Sequence, residues 1–331
     1  MTLGKPEVQT LTKNQEIPVV LPARRSWLSR FAPLILLVAV IAVLSLFIPY
    51  FFTLTNFVSV LLQTSALAVM AIGETAVLVT GGIDLSIPGM MALGAIFGAM
   101  YMKAGGNPLI AIFIMLLVPS LLGAINGLSV SRFNMIPFVV TLAMQAITGG
   151  AAIWITNQLS ISGLPQIFTK TMLAKIWILP VPVVILFVVG AIVQLFLTRS
   201  IFGRWLYATG TNIRTSRISG IPTERVLFFA YTFSGLMAGF AGVILTARLA
   251  SAGAPMGKDS VVLDIISSAA LGGVSIMGGV GTALNAVIGA IIITLISNVM
   301  NMANVSYYLT LVVEGAVLVV VVALDAWRRR R

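Results

Sequence analysis

Ten long apolar runs with almost no charged residues dominate the sequence and constrain its fold more than any other feature. They occupy residues 31–52, 55–79, 86–102, 108–130, 136–156, 179–198, 225–247, 261–280, 282–303 and 306–327. A hydrocarbon layer about 30 Å thick needs roughly 20 apolar residues for each crossing helix. The sequence therefore predicts an all-α, polytopic membrane protein with about ten transmembrane helices.

The positions of Lys and Arg predict how these helices are oriented. Fifteen basic residues fall in residues 1–30, at Arg132, in residues 199–225 and in residues 328–331, against five in the alternate connections. Connections on the cytoplasmic side are enriched in Lys and Arg. We therefore expect a cytoplasmic N-terminal segment at 1–30, a transmembrane domain at 31–327 and a cytoplasmic Arg tail at 328–331. The net charge of +11 then needs no nucleic-acid partner.

The side chains that most enzymes use are scarce in this chain. There is no His and no Cys, and the nine acidic residues never lie closer than five positions apart. Imidazole chemistry, thiolate catalysis and zinc ligation are excluded. The stretch AGAPMGKD near Lys258 lacks the first Gly and the final Ser or Thr of a phosphate-binding loop. The sequence predicts a non-enzyme without metal or cofactor, which would need a partner to use ATP.

Glycine-rich breaks follow the second and eighth runs, as TGGIDLSIP at 80–88 and GGVSIMGGVGT at 272–282. A shift without gaps places residues 81–99 over 272–290, with seven of nineteen identical, which predicts an internal duplication. Irregular backbone at membrane depth survives only where protein or water shields it. Interrupted helices at matching places in two halves indicate a transport pathway.

The first break has two compatible interpretations. Asp84 or Ser86 can cap a new helix whose second residue is Pro88, or their oxygens can face a solute cavity. Two acidic residues within spans, Glu74 and Glu314, are candidates for function, with a protonated or wetted carboxyl between helices as the alternative. For polar residues such as Asn126, the alternative to a place on the pathway is a hydrogen bond between helices. The predicted pathway residues are Glu74, Gly81, Gly82, Asp84, Ser86, Asn126, Gln145 and Asp264.

Three GxxxG motifs, at Gly94/Gly98, Gly123/Gly127 and Gly235/Gly239, predict close helix packing. The longest inside loop, residues 199–225, carries five arginines against one acid. Its aromatic residues are expected to be exposed, and aromatic residues with arginines typify protein interfaces. We expect a short helix here, capped by Asn212 and flanked by glycines. The residues predicted to couple to a partner are Phe202, Gly203, Arg204, Gly210, Asn212, Arg217 and Gly220.

From about residue 31 onward, the chain resembles the membrane permeases of bacterial ABC importers for monosaccharides, the ribose, xylose, arabinose and galactose type. The resemblance rests on TGGIDLS at 80–86, FGRWLYATGTN followed by RISGI within 202–221, and LDIISSAALGG with GGVGT within 263–282. Glu74 departs from the family, which commonly has an uncharged residue there.

The resemblance implies a subunit of the bacterial inner membrane that pairs with a second permease subunit, as a homodimer or a heterodimer. A periplasmic sugar-binding protein would deliver the substrate, and a cytoplasmic ABC ATPase docked on the loop 199–225 would hydrolyse ATP. The alternative is a secondary, ion-coupled transporter of a small polar solute, with Glu74, Asp84 and Glu314 as the ion site.

Overall fold

The computed structural model describes Val38 and residues 51–329. Within these residues the chain forms twelve α-helices, and we number them α1 (Leu54–Val79), α2 (Ile87–Lys103), α3 (Pro108–Arg132), α4 (Pro137–Thr156), α5 (Gln166–Leu173), α6 (Val181–Arg199), α7 (Ile201–Thr211), α8 (Ile213–Ile218), α9 (Thr223–Leu249), α10 (Asp259–Leu271), α11 (Ala283–Met302) and α12 (Tyr307–Arg329). The predicted all-α membrane class is confirmed. The predicted N-terminal segment, nearly all of the first run and the last two arginines lie outside the described residues.

Six of these helices are long and apolar enough to cross a membrane: α1, α3, α4, α6, α9 and α11. Helix α2 and residues 307–320 of α12 are shorter apolar helices. The eighth run was predicted to continue to residue 280, and this is wrong, because α10 ends at Leu271 after thirteen residues. A helix of that length spans about 20 Å, less than the hydrocarbon layer.

Helices α1 and α10 end in the same way. The N–H of Gly81, whose φ is +85°, donates to the Leu78 carbonyl at 2.8 Å, and the next N–H reaches back to Val77. Gly273, with φ +93°, repeats this pattern with Ala270. This left-handed ending favours glycine. Gly81 therefore corresponds to Gly273, whereas the match without gaps paired it with Gly272, because the second break is the longer one.

The core lies where α1, α2, α3 and α9 pack, and the GxxxG motifs lie at these contacts. A Cβ on Gly127 would meet the Phe228 carbonyl of α9 at 2.7 Å, and one on Gly239 would meet the Met115 carbonyl of α3 at 2.7 Å. A Cβ on Gly98 would overlap Met115. The close packing predicted from these motifs is confirmed, since backbones this close leave no room for a side chain.

The two ends of the bundle differ. At the α7–α8 end lie both glycine-rich breaks, the α3–α4 connection and the first turn of α9. At the β-sheet end, two short antiparallel pairs join β1 (Ile161–Ser162) to β4 (Ser251–Ala252) and β2 (Lys175–Ile176) to β3 (Leu179–Pro180). A 3-10 helix, Ala254–Gly257, follows β4 and folds back against α2, so that a Cβ on Gly257 would lie 2.9 Å from the Pro88 carbonyl.

Candidate functional site

A buried polar cluster forms where α1 gives way to α2. Glu74 lies in the second-last turn of α1, and both of its carboxylate oxygens accept the backbone N–H of Asp84, at 3.2 and 3.3 Å. Asp84 Oδ1 accepts the Ser86 N–H at 3.0 Å and the Ser86 hydroxyl at 2.5 Å. Asn126 of α3 donates its Nδ2 to Ser86 Oγ at 2.8 Å. The structure thus joins four of the predicted pathway residues in one hydrogen-bonded chain.

The start of α2 was predicted correctly in part. Pro88 is the second residue of the helix and Ser86 occupies the capping position, but the Ser86 side chain does not cap. The Ser86 hydroxyl donates to Asp84 Oδ1 instead, and the same oxygen accepts the Ser86 N–H. Both interpretations of the break stay compatible with this geometry. In this structure the cluster is closed to solvent, since Glu74 and Ser86 are fully buried and Asp84 is 2% exposed.

Four polar atoms around the cluster are buried without a hydrogen-bond partner, and they are Asp84 Oδ2, Asn126 Oδ1, Tyr231 Oη and Ser234 Oγ. The two α9 residues, Tyr231 and Ser234, were missed from the sequence. The Tyr231 hydroxyl lies so close to Gly82 that a Cβ there would overlap it. Their positions in the sequence could have indicated them. Ser234 precedes Gly235 of a GxxxG motif, and Tyr231 lies one turn earlier on the same face of the helix.

Gln145 of α4 bridges the start of α2 and the inward-folded 3-10 helix. Its Oε1 accepts the Gly89 N–H at 2.8 Å, and its Nε2 donates to the Gly257 carbonyl at 3.0 Å and to Asp259 Oδ1 at 3.2 Å. Sequence reasoning selected Gln145 but missed Gly257 and Asp259, because nothing in the sequence shows that this connection folds inward.

Asp264, another of the predicted pathway residues, lies apart from this cluster. It faces Glu314 of α12, and Ser297 of α11 donates its hydroxyl to Glu314 Oε1 at 2.6 Å. The separation follows from packing, since this acidic face of α10 turns toward α12. The described part of the chain therefore contains two separate carboxyl pairs, one at the first break and one between α10 and α12.

A cavity of about 560 Å³ opens at the α7–α8 end. Both glycines of the first break line it, and Gly81 is exposed there. The second break contributes Met277, and α8 contributes Arg214 and Arg217. Of the predicted pathway residues, the two glycines thus line this cavity, and Glu74, Asp84, Ser86 and Asn126 form the buried cluster. Gln145 and Asp264 belong to neither group.

The prediction that the aromatic residues of α7 are exposed is wrong. Phe202, Trp205 and Tyr207 are partly buried against the core, and the Phe202 ring lies 4.6 Å from that of Phe229. Tyr207 donates its hydroxyl to the Gly281 carbonyl at 2.6 Å, and burial raises the pKa of this hydroxyl. These residues pack inward because α7 lies against the bundle, and the exposed Arg204 stays on the opposite face.

Helix α8 matches the predicted short helix. Asn212 caps it by accepting the Thr215 N–H at 3.0 Å, and Gly220, with φ +79°, follows its end. The helix is exposed at every residue except Ser216, and the Ile218 side chain is 88% exposed. The loop thus exposes an isoleucine beside two arginines at this surface.

Gly210 does not flank α8 directly, because it belongs to the last turn of α7. A Cβ on Gly210 would overlap the Val79 carbonyl at the end of α1. The same carbonyl accepts the Gly279 N–H of the second break at 2.9 Å. Earlier in α7, Gly203 is equally confined, since a Cβ there would overlap the Leu197 carbonyl. The last turn of α7 thus contacts both breaks through backbone.

Comparisons with known proteins agree with a transport role. A family model described as a branched-chain amino acid transport system permease component matches residues 56–322. The ribose import permease protein RbsC of Escherichia coli K12 is 33% identical over 91% of this chain and 95% of its own length. The D-allose transport system permease protein AlsC of the same strain is 35% identical over 89% and 91%. Its xylose transport system permease protein XylH is 30% identical over 83% and 86%. No solved structure matches this chain.

Proposed function

We propose a function from the premise that this chain belongs to the family of branched-chain amino acid transport system permease components, and is a multi-pass membrane transport subunit rather than an enzyme. It is the permease subunit of an ATP-driven ABC importer in a bacterial inner membrane, with both termini in the cytoplasm. It pairs with a second permease subunit. ATP hydrolysis takes place on a partner ATPase.

A monosaccharide is the proposed substrate. The family description names amino acids, but the three relatives above are named for ribose, allose and xylose, and each aligns with most of this chain. A sugar would come from a periplasmic binding protein docked at the β-sheet end. The glycines of both breaks and the polar cluster behind them would border its path, since irregular backbone at membrane depth belongs beside a polar passage.

The position of α7 and α8 is the observation that supports coupling to an ATPase. Helix α8 presents Ile218, Arg214 and Arg217 to the outside, while the last turn of α7 contacts the ends of both breaks. Movement of a partner docked on α8 would therefore reach the breaks through backbone contacts. The arginines are available to pair with acidic side chains of the ATPase.

The test uses the proposed partner ATPase, copurified with the full-length permease. Arg217→Glu reverses a charge at the surface of α8, and Lys170→Glu makes the same change on the exposed face of α5 at the opposite end. Losing an interface anchor costs more than about 2 kcal/mol, or roughly 30-fold in affinity. We expect Arg217→Glu to insert normally but lose the ATPase and the transport it drives, while Lys170→Glu retains the bound ATPase.

Normal ATPase binding and transport by Arg217→Glu would remove the docking proposal. The permease alone in liposomes provides the second test. If it accumulates sugar on a proton or sodium gradient without any ATPase, the chain is a secondary transporter and the importer proposal is wrong.

A further inference from the structure

We infer that the first break contains a site for one exchangeable monovalent cation, a proton or a sodium ion, held between Glu74 and Asp84. The inference concerns a ligand other than the sugar. It rests on the geometry of the polar cluster and does not require the ATPase.

Uncompensated negative charge is the first argument. Both carboxyl groups are buried, and neither forms an ion pair with a Lys or Arg within residues 51–329. An isolated buried carboxylate is so unfavourable that it is neutralised or binds a cation. Asp84 has local compensation, since it accepts two hydrogen bonds from Ser86 at the start of α2, where the helix dipole favours a negative charge. Glu74 receives only one backbone N–H.

Within the described residues, no Lys or Arg of the neighbouring helices faces Glu74, although α9 carries Arg225 and Arg248 and α7 carries Arg204. Of the titratable groups, Asp84 and the Tyr231 hydroxyl of α9 face Glu74. Helix α11 contains no ionisable residue, and α6 has only Arg199, at its last position. Asp264 of α10 interacts with Glu314 instead. The positive charge that balances Glu74 therefore has to come from solution.

The third argument is the set of unpartnered oxygens that surrounds the pair. Tyr231, Ser234 and Asn126 are fully buried, and each has a polar atom without a partner. Ser234 interacts with Asp84, and Asn126 holds Ser86 through its other amide atom. Hard cations prefer carboxylate, hydroxyl and amide oxygens, and broken helices bind such ions in membrane transporters. A bound sodium ion would neutralise the charge and contact these oxygens together, whereas a proton would neutralise the charge alone.

The experiment measures thermal unfolding of the purified full-length permease in detergent, without ATPase, binding protein or sugar. Sodium chloride is exchanged for choline chloride at constant ionic strength and pH, and in a second series the pH is varied in choline chloride. Selective binding to the folded state raises the unfolding midpoint with the logarithm of ligand concentration above the Kd. We expect a midpoint that rises with sodium in the wild type and not in Glu74→Gln, or one that rises with proton concentration more steeply in the wild type than in Glu74→Gln.

Glu224→Gln is the matched control, because it makes the same change at an exposed residue of α9, and it should respond as the wild type does. A sodium response lost in Glu74→Gln identifies sodium, and a pH response lost in Glu74→Gln identifies the proton. Identical responses of Glu74→Gln and the wild type to both ions would overturn the inference.

Asp84→Asn serves as the second variant, with the same expected loss. Should neither variant fold, sodium binding and proton uptake are measured on the wild type. One equivalent of either cation per chain, taken up by the wild type and retained in Asp264→Asn, supports the site, and none removes it. Because no ATPase is present, failure here leaves the importer proposal untouched, and failure of ATPase docking leaves this site untouched.

Discussion

Replacing Gly210 by Ala should disconnect α8 from the two breaks. The added Cβ would overlap the Val79 carbonyl and lie 2.9 Å from the Gly279 nitrogen, where an ordinary contact needs about 3.4 Å or more. The neighbouring atoms are backbone, so α7 has to move away by more than about 1 Å. Overpacking of this kind costs about 1 to 3 kcal/mol, against a gain of about 0.5 to 1 kcal/mol from replacing a helical glycine.

At the midpoints of these ranges the net loss is about 1.2 kcal/mol, a factor of about 8 in the population of the state in which α7 contacts Val79 and Gly279. We expect Gly210→Ala to retain the ATPase, since α8 is unchanged, but to lose the stimulation of ATP hydrolysis by sugar-loaded binding protein. Gly150→Ala in α4 is the control, because no atom lies within 4 Å of its Cβ, and it should leave stimulation intact. Full stimulation of Gly210→Ala would show that the contact carries no coupling.

The remaining predictions concern access and orientation. Cysteine at Gly81, which is exposed in the cavity, should react with small hydrophilic thiol reagents in the resting state, whereas cysteine at the buried Ser86 should react only while the transporter turns over. Equal reactivity of the two would mean that the break is not closed as described. Reporter fusions after Arg132 should report the cytoplasm and fusions at Lys170 the periplasm, and the opposite result would reverse the orientation that the basic residues predict.

The sequence predicted most helices closely because each apolar run is bounded by turn or charged residues. Helices α1 to α4 begin within a residue or so of their predicted starts, three of them with Pro in the first turn. The GxxxG motifs also predicted their contacts, since a missing Cβ has a direct consequence for backbone approach. The early end of α10 escaped prediction because apolar residues continue to Ile276, and hydropathy does not report a left-handed glycine.

The polar cluster was half predicted. Glu74, Asp84 and Ser86 lie near the break in sequence, so their proximity followed from local spacing. Tyr231 and Ser234 arrive from α9, and only tertiary packing brings them there. The aromatic residues of α7 were misjudged for the same reason, since amphipathic spacing does not say whether a partner or the chain itself covers a face.

The bridge made by Gln145 has a consequence for how the chain is assembled during synthesis. Its partners Gly257 and Asp259 lie 112 and 114 residues further along. At about 5 to 20 residues per second, translation takes roughly 6 to 20 s to reach them, so the Gln145 Nε2 group waits in the nascent bundle without these acceptors. The inward-folded connection is therefore a late closing step, and the β-sheet end of the bundle matures only after α9 has been inserted.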